Sequence, residues 1–119
     1  HNDLNIDHRF AYEATITAAR PLENSKINSV ISFEAISSSD WRQPYSFKPN
    51  LFIDISKELS QKIKALNEYK NEIRKFPHPR SKEALEAAAI RWGSLYGYKA
   101  AEAFEIVYTR SQNFPFTKS

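Results

Sequence analysis

The sequence predicts an α/β fold in a single domain over residues 1–119. A chain of 119 residues fits one domain. Segments in which apolar residues recur at helical spacing alternate with short strand-like segments, a pattern typical of mixed α/β proteins. Three strands can be recognised, which is few for a complete doubly wound sheet, and the chain has no internal repeat.

The first two predicted elements are a helix and a strand separated by a proline. Asp7 is a suitable N-cap for a helix over residues 7–20. Pro21 ends that helix because proline has no backbone N–H to donate. Residues 27–35 then alternate apolar and polar side chains, which is typical of a half-buried strand.

The next two predicted elements are a short strand and a helix. Residues 51–55 form an apolar run long enough for a strand. Ser56 is the expected N-cap of a helix that ends before Phe76, where two prolines bracket His78. The expected apolar stripe of this helix consists of Leu59, Ile63, Leu66 and Ile73.

The last helix and strand follow the proline-rich segment. Ser81 is the expected N-cap of a third helix, with Glu83 in its first turn. Gly93 and Gly97, the only two glycines of the chain, are expected to mark the end of this helix. Residues 104–108 form the last predicted strand. The expected buried face of the helix consists of Leu85, Ala88, Ala89 and Trp92.

Composition excludes several classes of protein. No run of 18 or more apolar residues is present, so no membrane span is predicted. The chain has no cysteine, which excludes disulfide scaffolds and fits a cytoplasmic protein. Residues 57–82 hold eight basic and three acidic side chains. We interpret them as a solvated helix face, since Glu58 and Lys62 are spaced for pairing; nucleic-acid binding is the alternative that we do not favour.

The densest polar cluster lies at the start of the chain. Imidazole and carboxylate groups together suit zinc, and catalytic zinc takes three protein ligands and a water. The alternative is that these side chains are only solvated. The cluster consists of His1, Asp3, Asn5, Asp7 and His8.

The string Asp3-Leu4-Asn5-Ile6-Asp7-His8-Arg9 resembles the second metal-site motif of the PIG-L/LmbE-type zinc-dependent N-deacetylases. A bacterial subgroup of that family carries Asp-Leu-Asn-x-Asp-His-Arg at this point. The resemblance continues in the same order along nearly the whole chain. Further matching strings are Phe33-Glu34, Ser37-Ser38-Ser39-Asp40-Trp41, Phe47-Lys48-Pro49-Asn50, Pro77-His78-Pro79-Arg80-Ser81 and Ala101-Glu102-Ala103-Phe104.

The resemblance covers only the C-terminal half of that family. Members begin with a strand and a His-Pro-Asp-Asp motif, which supplies two zinc ligands and the general base, and this chain has no such motif. It also has no methionine. The resemblance therefore implies the C-terminal portion of a Rossmann-like sheet with flanking helices, and a missing N-terminal half as partner.

The resemblance also implies roles for the residues of the first motif. His8 would be a zinc ligand, and Asp7 would orient neighbouring groups. Asn5 would donate an N–H to an oxyanion, although it has no proton to transfer. His1, four residues upstream of Asn5, is a second candidate for a catalytic role.

Arg80 and His78 are the candidate substrate-binding residues. Arg80 can hold a phosphate or a hydroxyl group of the substrate bidentately. The alternative is that both side chains tie their loop to the first helix.

The activity implied by the resemblance is removal of an acetyl group from an N-acetylglucosamine-type substrate by a zinc-dependent hydrolase. We expect the chain to be inactive without the missing half. The alternative is a catalytically inactive binding module of the same fold, which the asparagine at position 5 favours.

Overall fold

A computed structural model of the chain describes residues 5–36, 38, 41 and 47–112. Helices and strands alternate in part, so the prediction of a mixed α/β fold is confirmed. His1 lies outside the described residues. The elements in chain order are α1 (Ile6–Ala18), β1 (Ser29–Phe33), β2 (Leu51–Asp54), α2 (Leu59–Asn67), α3 (Lys82–Leu95) and β3 (Ala101–Thr109).

The three strands form one sheet in the order β1-β3-β2. The last strand of the chain is therefore the central one, and both of its pairings are antiparallel. β1 and β2 run in the same direction but are separated by β3. In the part of the chain that the structure describes, the parallel pairing typical of a Rossmann-like sheet is not present.

The two faces of the sheet carry different sets of side chains. We call the face that carries Phe52 and Ala103 the inner face, because the Phe52 ring contacts the Trp92 ring of α3. Strand alternation and register place six apolar residues on the opposite, outer face. These are Ile31, Phe33, Leu51, Ile53, Phe104 and Ile106.

The core lies between the inner face and α3. Ile55, Ala89 and Ala100 are buried together, and Leu59 of α2 packs against them. The Phe52 ring stacks on that of Tyr96, with 3.7 Å between the ring centroids. Small side chains on both partners therefore bring α3 close to β3.

Gly93 is where α3 closely approaches the segment that leads into β3. A Cβ atom at this position would lie 2.7 Å from Ala100 Cα and 2.7 Å from the Tyr98 carbonyl oxygen. The prediction that Gly93 marks the helix end is wrong, because α3 continues to Leu95. Gly97 does follow the helix end, with a φ of 82° that favours glycine.

Ser56 joins the end of β2 to the start of β3 and does not cap α2. Its hydroxyl donates to Asp54 Oδ1, and its backbone N–H donates to the same oxygen at 2.9 Å. The hydroxyl also accepts from Ala100 N at 3.3 Å. The prediction of a Ser56 N-cap is wrong for this reason, and α2 begins at Leu59.

α2 is shorter than predicted. It ends at Asn67, so Ile73 lies beyond it. Lys62, expected to pair with Glu58, instead donates to Glu102 Oε1 of β3 at 2.5 Å.

No helix among the described residues is long and apolar enough to cross a lipid bilayer.

Replacing Gly93 by alanine is expected to destabilise the protein by about 1–3 kcal/mol, because the added methyl group meets backbone atoms that cannot move independently. Urea unfolding followed by circular dichroism measures the loss. Ser94→Ala, at the neighbouring exposed position, is the matched control and should change stability by less than about 0.5 kcal/mol. If Gly93→Ala and Ser94→Ala are equally stable, the close approach of Gly93 to Ala100 is contradicted.

The Asp54 carboxylate should make the free energy of unfolding depend on pH in the acidic range. Hydrogen bonds from the Ser56 side chain and backbone lower the pKa of Asp54 from its usual 3.8. A carboxyl group with a lowered pKa stabilises the fold above its unfolded pKa, and this contribution is lost as the pH falls through the folded pKa. At neutral pH the wild-type protein should therefore unfold at a higher urea concentration than Asp54→Asn. At a pH below the folded pKa of Asp54, the two urea midpoints should be equal.

Carbon-13 NMR titration of the Asp54 carboxyl group checks the cause. The midpoint should lie below 3.8 in wild type and move toward that value in Ser56→Ala. A midpoint that is the same in both proteins would contradict the assignment to Ser56.

Candidate functional site

The motif at the start of the chain forms the N-terminus of α1. Asn5, and not Asp7 as predicted, is the N-cap: its Oδ1 accepts from Asp7 N at 2.9 Å and from His8 N at 3.4 Å. Asp7 lies in the first helical turn, where a carboxylate interacts favourably with the helix dipole. The side-chain oxygen of Asn5 therefore caps α1, and the side-chain NH₂ is the hydrogen-bond donor of this residue.

α1 and β1 form the two walls of a groove of about 300 Å³. His8 and Tyr12 are the ionisable side chains that line it, and the other lining residues are mostly apolar. His8 is exposed and stands in the first turns of α1, so its imidazole lies at one end of the groove. The α1 wall consists of His8, Ala11, Tyr12, Thr15 and Ile16; the sheet wall consists of Val30, Ile31, Ser32, Phe33, Ala35 and Val107.

Hydrogen bonds within the loop, and from the loop to other parts of the chain, hold His78 and Arg80 in place. Arg80 N donates to His78 Nδ1 at 3.0 Å. Because Nδ1 accepts this bond, the proton of the neutral imidazole lies on Nε2. The His78 ring also meets the Trp41 ring edge-on, with 6.0 Å between centroids.

The Arg80 guanidinium connects this loop to two distant parts of the chain. Nη1 donates to Glu72 Oε2 at 2.7 Å, and Nε donates to the Ile36 carbonyl oxygen at 3.5 Å. The structure therefore shows a tie to the segment after β1 and to Glu72. Glu72 could not be identified as a partner from the sequence, because its spacing of eight residues from Arg80 has no helical meaning.

The segment after β1 adjoins both candidate groups. Ala35 lines the groove that His8 also lines. The next residue, Ile36, accepts the hydrogen bond from Arg80. The groove of His8 and the loop of Arg80 therefore share one short segment of the chain, although His8 and Arg80 lie some 70 residues apart in sequence.

A second cavity, of about 280 Å³, opens beside the same segment. Glu34 and Arg91 supply charged groups, Trp92 supplies an aromatic ring, and Pro79 belongs to the loop of Arg80. Glu34 and Arg91 are not predicted as site residues from the sequence, and Trp92 is predicted to lie on a buried helix face. Charged groups beside an aromatic wall are suited to a polar ligand with an apolar face, such as a sugar.

The residues that the structure describes do not form a zinc site by themselves. Among the described residues, no group of three or more histidine, aspartate or glutamate side chains is placed to hold a metal ion. Catalytic zinc takes three protein ligands. Of the predicted zinc chemistry, the described part of the chain thus offers His8 as a single candidate ligand, and two ligands would have to come from elsewhere.

Comparison of this chain with protein-family models, with curated proteins and with solved structures finds no match. The PIG-L/LmbE resemblance therefore rests on the sequence motifs alone.

The His78 tautomer is a direct test of the site geometry. Nitrogen-15 NMR of the imidazole at a pH where it is neutral should show a protonated Nε2 and an unprotonated Nδ1. Replacing Trp41 by phenylalanine preserves an edge-on aromatic neighbour and should leave the tautomer unchanged. A protonated Nδ1 would contradict the hydrogen bond from Arg80 N.

Proposed function

We propose that this chain is part of a cytoplasmic zinc-dependent hydrolase of the PIG-L/LmbE type, which removes an acetyl group from an N-acetylglucosamine-type substrate. One observation carries the proposal. The segment after β1 adjoins both the groove lined by His8, the candidate ligand of the motif, and the loop of His78 and Arg80. The candidate zinc ligand and the candidate substrate-binding residues are therefore linked through one short segment of the chain.

The cavity beside this end of β1 supports a sugar-like substrate. Trp92 offers an aromatic wall, and Glu34 and Arg91 offer hydrogen-bonding groups for hydroxyls. The Arg80 side chain is only partly exposed and already holds Glu72. If Arg80 contacts the substrate, a guanidinium N–H must therefore point to this cavity while Nη1 keeps its hydrogen bond to Glu72.

The proposed enzyme needs a second polypeptide segment. The described residues provide one candidate zinc ligand, so the remaining ligands and the base would come from an N-terminal half that completes a Rossmann-like domain. Asn5 would act through its amide NH₂, because its carbonyl oxygen caps α1. The chain by itself is expected to be inactive.

A catalytically inactive binding module of the same fold is the second candidate. The asparagine at position 5 favours it, because its side-chain oxygen caps α1 and its amide has no proton to transfer. Such a module would retain the cavity beside Trp92 but would bind zinc weakly, even with the N-terminal half present.

The test uses the complete protein, in which the chain is joined to the segment encoded immediately upstream. We expect about one zinc per protein, and release of acetate from an N-acetylglucosamine glycoside that proton NMR detects. His8→Ala should lose both zinc and acetate release. Ser60→Ala, at an exposed position of α2, is the control and should retain both.

The outcomes separate the two candidates. Acetate release by the 119-residue chain alone, or by the His8→Ala protein, would contradict the proposed enzyme. A folded complete protein that binds the glycoside, but does not bind zinc and does not remove the acetyl group, would establish the binding module.

A further inference from the structure

His78 accepts a hydrogen bond from the backbone of its own loop. Arg80 N lies 3.0 Å from His78 Nδ1, and this bond is partly buried. A ring nitrogen of histidine accepts a hydrogen bond only while it carries no proton, and both nitrogens of the charged imidazole are donors. Histidine is the side chain whose charge ordinarily changes between about pH 5 and 8. The bond from Arg80 N therefore forms in one protonation state of His78 and cannot form in the other.

The surroundings of His78 limit how its ring can respond to a second proton. The imidazole meets the Trp41 ring at 73°, with 6.0 Å between the centroids. The backbone is held as well, because His78 N donates to Lys75 O at 3.1 Å and Ser81 N donates to His78 O at 2.9 Å. A proton on Nδ1 would place it against the N–H of Arg80. Either the ring rotates and leaves Trp41, or the Arg80 amide moves.

Two hydrogen bonds between described residues hold the Arg80 backbone, and His78 accepts one of them. The other runs from Arg74 N to Arg80 O at 3.2 Å. From this backbone the guanidinium extends to Glu72 and to the Ile36 carbonyl oxygen. The bond to Ile36 is long, at 3.5 Å, so a small movement of the Arg80 backbone breaks it. Loss of the bond to His78 therefore weakens the tie between the loop and the segment after β1.

The described charged groups that adjoin the imidazole belong to its own loop, to the turn before the loop and to the segment after β1. The loop and the turn supply three cations and one carboxylate, and the segment supplies one carboxylate. The Trp41 ring is uncharged. A proton on His78 adds a fourth positive charge, and its repulsion of the other three favours an open loop. The charged groups are Arg74, Lys75, Arg80, Glu72 and Glu34.

We propose that His78 is a pH-dependent switch for this loop. The neutral imidazole holds the Arg80 amide, which gives the closed loop of the structure. The protonated imidazole releases that amide, and the loop opens. Pro79, between the two residues, lines the cavity of about 280 Å³ together with Arg91 and Trp92. The cavity therefore loses part of its wall when the loop opens, and a ligand bound there is held more weakly once His78 is protonated.

The opening of the loop and its effect on a substrate are separate. The effect on a substrate rests on the proposed function, because that function assigns the cavity to the substrate. The opening depends on His78 and its contacts alone, so it is measured on the chain without zinc or substrate. Absence of deacetylase activity would refute the proposed function and leave the switch unaffected.

Hydrogen exchange of the Arg80 amide measures the opening. NMR gives the protection factor of this amide at each pH, which corrects for the intrinsic pH dependence of exchange. Nitrogen-15 shifts follow the protonation of His78 in the same samples. We expect the protection factor to fall about tenfold, with the same midpoint as the imidazole. The Tyr98 amide, which donates to Gly93 O at 2.9 Å, is the internal control and should keep its protection.

His78→Asn separates the acceptor from its titration. An asparagine side chain accepts from the backbone N–H two residues later in the chain and does not titrate. This variant should therefore keep the loop closed at every pH. His78→Leu has no acceptor and should leave the Arg80 amide unprotected at every pH. His8→Asn, the same change at the other described histidine, is the matched control and should show the wild-type transition.

Three results would overturn the proposal. The first is an Arg80 protection factor that is the same when His78 is neutral and when it is protonated. The second is a transition whose midpoint differs from that of the imidazole. The third is a transition that persists in His78→Asn, because another group would then cause it. Circular dichroism checks that each variant folds, and the wild-type titration decides where a variant does not fold.

Discussion

β3 is the strand on which the rest of the structure depends. It provides hydrogen bonds to β1 on one edge and to β2 on the other. α3 packs against it, and Gly93 of α3 meets Ala100, the residue just before β3, at a distance that leaves no room for a side chain. Ala101 and Ala103 are buried beside this contact. Small residues on both partners therefore determine how close the helix lies, and with it the position of everything that α3 carries.

The candidate site is positioned through this contact. Ser81 is fully buried at the N-terminus of α3, where its Oγ accepts from Ala84 N at 3.1 Å. The preceding loop is thereby held against the sheet, and Arg80 reaches the Ile36 carbonyl oxygen. His8 of α1 lines the groove that Ala35, the neighbour of Ile36, also lines. A few backbone-directed hydrogen bonds thus bring the loop of Arg80 to the segment that adjoins the groove of His8.

The described helices cover the apolar side chains of the sheet unevenly. Ile31 and Phe33 line the groove with α1, and Phe33 also lines a cavity with residues of α2 and α3. Phe33 nevertheless remains 73% exposed. Burial of apolar side chains is the main source of stability in a folded domain, so Phe33 contributes less to stability than the buried residues between α3 and the sheet.

Local signals in the sequence determined the kind and order of the six elements. They also identified the Ser81 cap and the motif of His8, because caps and motifs depend on residues within a few positions. The tertiary structure alone decided that β3 is central and antiparallel, that Ser56 bonds to Ala100 and not to α2, and that Arg80 bonds to Ile36. Each of these depends on a contact between distant segments, for which periodicity and capping preferences carry no information.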